Sequence, residues 1–240
     1  MDEMISFGAG VNSVAMVILL AQDGWRGPVV FCDPGSEHPE TYCYLETFER
    51  GFMADHGLEL TRILPGSEYH EQSDLDLYDF CMEQGIIPLL AVRWCSVKWK
   101  RNPLENWRKA HGIPVTLLGI TDDEPRRVRQ NPTVRYPLVE RSINRLECYR
   151  IIQCAGLDLP RKSGCFFCPG QALAQWRDLY LNYPDLFQSA IALEENASER
   201  CQKHATIDPH GVKLVDMASR RWEGAEQMDL SDWLPCACAL

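Results

Sequence analysis

Short apolar, β-branched runs alternate with helix-length segments through the first 140 residues, and this alternation restricts the fold more than any other feature. The runs are "MISF" (4–7), "PVVFCD" (28–33), "LELTRIL" (58–64), "VTLLGI" (115–120) and "RYPLVE" (135–140). Helical stretches are expected between them at 12–23, 39–56, 73–84 and 97–110. Such spacing predicts an α/β fold, a parallel sheet of about five strands with helices on both faces. From about residue 144 no strand is expected, and "INRLECYRIIQCAG", "QALAQWRDLYLNY" and "PDLFQSAIALEENASERCQK" read as helices. The expected organisation is an α/β domain over 1–143 and a helical C-terminal third over 144–240 packed on it, with a flexible tail at about 229–240.

Sheets of this kind bind ligands at the carboxyl ends of their strands. There the first strand runs into "SFGAGVNSVAM" (6–16), where Gly8, Gly10 and Ser13 precede a helix. Glycine admits close backbone approach, and a first helical turn offers unpaired N–H groups and a positive dipole end, which together suit phosphate. The plain alternative is a tight connection capped by Ser13. The second strand delivers Asp33 and "PGSEHPETY"; the fourth delivers "GITDDEPRRVR", with Arg126, Arg127 and Arg129. Guanidinium forks suit phosphate or sulfate. Asp33 could meet a ribose hydroxyl, a metal or a water, or cap the next helix. Gly8, Gly10, Ser13 and Asp33 also approach the dinucleotide fingerprint of an NAD-binding oxidoreductase, but serine replaces its third glycine and that reading leaves the downstream cysteines without a role.

The chain carries eleven cysteines and a net charge of -10. It has no run of about 18 apolar residues that would span a membrane. "MDEMISF" places acids where a secretory signal carries basic residues, so a cytoplasmic protein with no membrane partner is expected. In that reducing compartment, many cysteines point to metal ligands or redox thiols rather than disulfides. "KSGCFFCPG" (162–170) sets Cys165 and Cys168 at C-x-x-C spacing beside Pro169. Cys148 on the preceding helix and Cys95 in "VRWCSVKWK" bring the thiols to four, the number a tetrahedral zinc or a four-iron cluster takes, with Cys154 in reserve. Cys148 and Cys154 could equally be helix-core cysteines. Arg93, Lys98, Lys100, Arg101, Arg108 and Lys109 gather among Trp94, Trp99 and Trp107, a mixture that suits nucleic acid. The favoured reading is an amphipathic helix with tryptophans inward and cations outward.

Taken in order, these segments resemble the phosphoadenosine phosphosulfate (PAPS) reductase family of the adenine nucleotide alpha hydrolase superfamily, whose Rossmann-like sheet carries a pyrophosphate-binding PP-loop. "SFGAGVNS" is similar to that loop, "FCDPGSEHPETY" to the family's Asp-Thr-Gly segment, and "RWCSVKWKRNPL" to its Arg-x-Cys-Thr segment. "GITDDEPRRVR", "RYPLVE" and "ECYRIIQCAGLDLPRKSGCFFCP" continue the match, which covers about residues 3 to 200. The resemblance implies that 1–143 is a nucleotide-binding domain that holds ATP or PAPS through Ser6, Phe7, Gly8, Gly10, Asn12, Ser13, Asp33, Gly119 and Arg127. It implies catalytic work for Asp33, Asp123, Arg127 and Lys162, and a 4Fe-4S cluster on Cys95, Cys148, Cys165 and Cys168, with zinc as the alternative. Asn12 stands where the pyrophosphatase loop has aspartate, and the chain ends "LPCACAL", where Cys236 and Cys238 could form a mobile thiol pair.

The reaction so implied takes one of several forms. In reduction, a thiolate attacks sulfur and a thiol reductant completes the cycle. In adenylation, magnesium bridges the phosphates and Asp33 or Asp123 orients it. In thiolation, a sulfur donor protein and a nucleic acid substrate take part. In all of them the 8–13 turn and the Ser6 and Ser13 hydroxyls hold phosphate, while Arg127, with either Arg135 or Lys162, neutralises charge. A non-catalytic zinc-containing nucleotide sensor would use the same crevice. A homo-oligomer is also compatible with the sequence.

Overall fold

A computed structural model describes residues 2–201, 205–219 and 222. Cys236, Cys238 and the tail at 229–240 lie outside the described residues. Five strands form one sheet in the order β3-β2-β1-β4-β5, and every pairing is parallel. They are β1 (Glu3–Ser6), β2 (Val29–Cys32), β3 (Leu60–Ile63), β4 (Val115–Leu118) and β5 (Val134–Arg135). The α/β expectation therefore holds. β1 lies between β2 and β4, so the chain leaves it to one side and later returns on the other. That reversal opens a crevice beyond the carboxyl end of β1.

Residues alternate between the faces of the sheet, as strand geometry requires. Ile5, Phe7, Val29, Phe31 and Leu117 share one buried cluster with α1 (Val11–Gln22) and with Leu45 and Phe48 of α2 (Pro39–Phe48). Met4, Val30, Cys32 and Ile63 face the opposite way, against Leu104 and Trp107. The helix at 39–56 is observed as α2 continued by a π-helical turn, Glu49–Met53. The helix expected at 73–84 starts later, as α3 (Leu77–Gln84): Asp76 caps it by accepting the Asp79 N–H at 2.8 Å, and Gly85 ends it at φ +64°. The helix expected at 97–110 comprises α4 (Trp94–Ser96), a π-helical turn at Val97–Arg101, and α5 (Asn102–Ala110). Trp99 and Trp107 of this helix are buried, in line with the amphipathic reading.

The strand expected at 135–140 is corrected by the structure. Only Val134–Arg135 pairs with β4, and the chain then coils into α6 (Pro137–Glu140). Pro137 has no N–H for a ladder, and its fixed φ suits the first position of a helix. α7 (Arg145–Cys154) follows an Asn144 capping box and packs along α1, with Cys148 and Ile152 in the sheet's own core. α8 (Leu173–Asn182), α9 (Pro184–Cys201) and α10 (Leu214–Ser219) form a second core with α3 around Trp99, Phe167, Trp176 and Phe187. Among the described residues no helix is long and apolar enough to cross a membrane.

Candidate functional site

The crevice beside β1 is an open cleft. Its floor is the β1–α1 turn. Gly10 is the N-cap of α1 without a side-chain hydrogen bond, and no acid occupies the first turn, so the helix presents its N–H groups and positive end to the cleft. Ala9 holds φ +54°, a left-handed geometry that side chains disfavour and that clusters at functional turns. Ser6, Phe7, Gly8, Gly10, Asn12, Ser13, Gly119 and Arg127, all expected at the nucleotide, do line this cleft. Ser13 is not the cap of α1; its hydroxyl donates to Gly10 O at 2.9 Å. Gly119 is required by close approach, because a Cβ there would stand 3.0 Å from Ser13 Cα and N.

Five cations line the cleft, namely Lys100, Arg101, Arg127, Arg145 and Lys162, and among the described lining residues there is no carboxylate. Several are held in place. Arg127 pairs with Glu124, and Arg145 donates to Asn12 Oδ1 at 3.1 Å. Asn12 Nδ2 in turn donates to Glu124 Oε2 at 3.0 Å. Lys162 donates to Gly170 O at 3.1 Å. This array suits a polyanion whose charge is met by the protein directly.

Two expected carboxylates are placed elsewhere. Asp33 is buried and does not line the cleft; its Oδ1 accepts the Tyr42 hydroxyl at 2.7 Å and the Gly35 N–H at 2.8 Å, which braces the turn after β2. Burial raises its pKa. Cys32, its neighbour, lines the cleft instead, with a thiol pushed up to about 12 by burial. Asp123 is exposed, and the adjacent Glu124 faces the loop. Arg135 does not reach the cleft; it pairs with Glu3 and Glu140 at the far edge of the sheet.

A second, much smaller cavity adjoins the first. Cys95, Cys165 and Cys168 line it, with Pro34, Leu77, Trp99 and Pro169 among its walls. The C-x-x-C segment closes a tight turn, Cys168 N–H to Cys165 O at 3.0 Å, and a β-bridge between Glu37 and Cys165 ties it to the loop after β2. The Gly170 N–H donates to Cys168 Sγ at 3.4 Å. Cys148 is absent from this group, and that expectation is corrected. It is wholly buried in the core where α7 packs along α1, its thiol pushed up to about 12 by desolvation. The reserve, Cys154, is exposed at the end of α7.

Lys100 was legible in the sequence only as one cation of a basic helix. In the structure it lines both cavities, and its Nζ donates to Glu37 Oε1 at 2.5 Å. The Glu37 side chain is fully buried and Lys100 is about a quarter exposed. A lysine on a π-helical turn thus stands between the anion-suited cleft and the three thiols.

A parallel sheet with a glycine turn, an open helix N-terminus and a cation-walled cleft at its switch point defines a Rossmann-like α/β domain. The phosphoadenosine phosphosulfate reductase domain profile matches residues 3–139, and the chain belongs to that family. A search of curated protein sequences found no match. Among solved structures the chain is similar to the U34-tRNA thiolase NcsA from Methanococcus maripaludis with its [4Fe-4S] cluster, at 12% identity and a TM-score of 0.51. That likeness covers 92% of this chain and 80% of the other. It is also similar to phosphoadenylyl-sulfate (PAPS) reductase from Candida auris in a phosphate complex, at 12% identity and a TM-score of 0.47, over 67% of this chain and 75% of that one. At such identity the thiolase likeness bears on the fold alone.

Proposed function

We propose that the protein is an enzyme of sulfur metabolism that binds an adenine nucleotide, PAPS or ATP, in the cleft and acts at its sulfonucleotide group or α-phosphate beside an iron–sulfur centre. The observation that carries this reading is Lys100, shared between the cation-lined cleft and the three-thiol cavity. The N–H groups at the start of α1 would receive phosphate oxygens, Arg127 and Arg145 would flank them, and Lys162 would approach from the cysteine side. The cationic lining, and Asn12 in place of a carboxylate, favour direct charge compensation over a bridging magnesium.

Cys95, Cys165 and Cys168 would hold the cluster, which supplies electron-rich sulfur chemistry next to the nucleotide. Among the described residues, no three histidine, cysteine or acidic side chains converge as ligands of a single ion do. In the reductive form, a thiolate of a separate dithiol reductant attacks the sulfur of the sulfonucleotide: the S–S bond forms, the S–O bond breaks, and its electron pair leaves on the phosphate oxygen. A second thiol then releases sulfite and is left as a disulfide.

A second reading, sulfur transfer to nucleic acid, would use the same cleft and draws on the exposed cations Arg93, Arg101 and Lys109 of the neighbouring helix. Calorimetric titration of anaerobically prepared protein with PAPS, ATP and ATP plus magnesium tests the proposal. Nucleotide binding without magnesium, weakened at least tenfold in Arg127→Ala, is expected. Magnesium-dependent ATP cleavage stimulated by RNA would favour the second reading, and failure to bind any of these nucleotides would overturn both.

A further inference from the structure

His38 caps α2 with one ring nitrogen and leaves the other buried without a partner. Nδ1 accepts the Glu40 N–H at 3.3 Å, which an imidazole can do only through its unprotonated nitrogen. The ring proton is therefore on Nε2. That atom is buried and has no hydrogen-bond partner, while the residue as a whole is 2% exposed. Buried donors in native proteins almost always find acceptors, so an unpartnered one needs a reason.

The surroundings supply one. His38 lines a small crevice together with Cys165, Cys168, Lys162 and Gly170. Its backbone N–H donates to Gly164 O at 3.0 Å, which locks it to the segment that carries both cysteines. Cys168 Sγ already accepts one N–H, from Gly170 at 3.4 Å.

We propose that His38 is a positioning residue for the sulfur centre, its Nε2–H donating a hydrogen bond to a cysteinyl sulfur, of Cys165 or Cys168, that the two cavities share. The inference rests on the cysteine-centre reading above. His38 is a donor and not a ligand, because the lone pair needed for a metal is on Nδ1 and is spent on the helix cap. Hydrogen bonds to sulfur withdraw electron density and favour the reduced form of an iron–sulfur centre.

Two variants of the full chain test this after anaerobic reconstitution, with iron content and midpoint potential read by EPR-monitored redox titration. His38→Asn keeps a short capping acceptor and removes the distal donor; His38→Gln returns an N–H near the Nε2 position. In His38→Asn the reduction equilibrium is expected to shift tenfold toward the oxidised form, 59 mV for one electron, and in His38→Gln to stay near the parent's. Parent-like iron and potential in His38→Asn would overturn the proposal, and would assign the N–H to the Tyr183 ring, which meets the imidazole edge to face at 4.8 Å. If His38→Asn takes up no iron, His38→Gln decides: a parent-like potential supports the donor and a tenfold shift toward the oxidised form overturns it. A parent protein that binds no iron would overturn the cysteine-centre reading itself, and this inference with it.

Discussion

Replacing Gly119 with alanine puts the geometry of the phosphate loop to a quantitative test. The added Cβ would lie 3.0 Å from Ser13 Cα and N and 3.1 Å from Asn12 C, where ordinary contacts begin at 3.4 Å. All three are backbone atoms, so no rotamer change relieves the overlap. The start of α1 must withdraw from β4 by about 0.4 Å, at the cost of an overpacked core site, about 1–3 kcal/mol. For a chain of this size that lowers Tm by roughly 2–12 °C. The same withdrawal moves the helix N–H groups away from where phosphate oxygens would bind and misaligns their charge-assisted hydrogen bonds, so about tenfold weaker nucleotide binding is expected. Gly8→Ala is the control: nothing lies within 4 Å of its Cβ, yet Gly8 lines the cleft. It should leave Tm unchanged while weakening nucleotide. Differential scanning calorimetry and titration calorimetry report the two quantities; a Gly119→Ala protein with the parent's Tm and the parent's Kd would refute the reasoning.

Two further outcomes concern buried charge. Lys100→Met leaves the fully buried Glu37 carboxylate without its cation and should destabilise the fold by about 3 kcal/mol; Glu37→Gln in the same chain should restore most of this, as urea denaturation would show, whereas an uncorrected loss would deny the coupling. Asp33 has a folded pKa raised above the ordinary 3.8 by burial, so its contribution to stability is fully present below that value and is lost as pH rises through the folded pKa. Asn at 33 keeps the Oδ1 acceptor for Tyr42 and Gly35, so the stability of Asp33→Asn relative to the parent should grow as pH rises above about 4; a pH-independent difference in denaturation midpoints would contradict it.

The sheet, the loop and most of the cleft were legible in the sequence because they depend on local pattern. Alternating short strands and helices, with glycines placed before α1, leave few other ways to fold. "RYPLVE" failed as a strand because an apolar run is ambiguous without the ladder, and Pro137 could end pairing as readily as edge it. Cys148 failed as a ligand for a different reason. Periodicity says that it lies on the inner face of α7, but not that this face meets α1 rather than the cysteine turn. Asp123 and Glu124 are neighbours in the sequence, and only the turn after β4 decides which carboxylate faces Asn12. Lys100 was hidden among five other cations around the tryptophans, and its place between two cavities exists only once the π-helical turn is laid beside β2. His38 gave no signal beyond a residue ahead of "PET", since an unpartnered nitrogen is a property of the packed molecule.

The central claim, a three-cysteine centre set across Lys100 from a nucleotide cleft, is tested most directly by iron and acid-labile sulfide per chain after anaerobic reconstitution, compared among single serine variants. The account predicts matched iron and sulfide in the parent and in Cys148→Ser, and their loss in Cys95→Ser, Cys165→Ser and Cys168→Ser. Full retention in the Cys165 and Cys168 variants, or loss in Cys148→Ser with retention in Cys95→Ser, would contradict it.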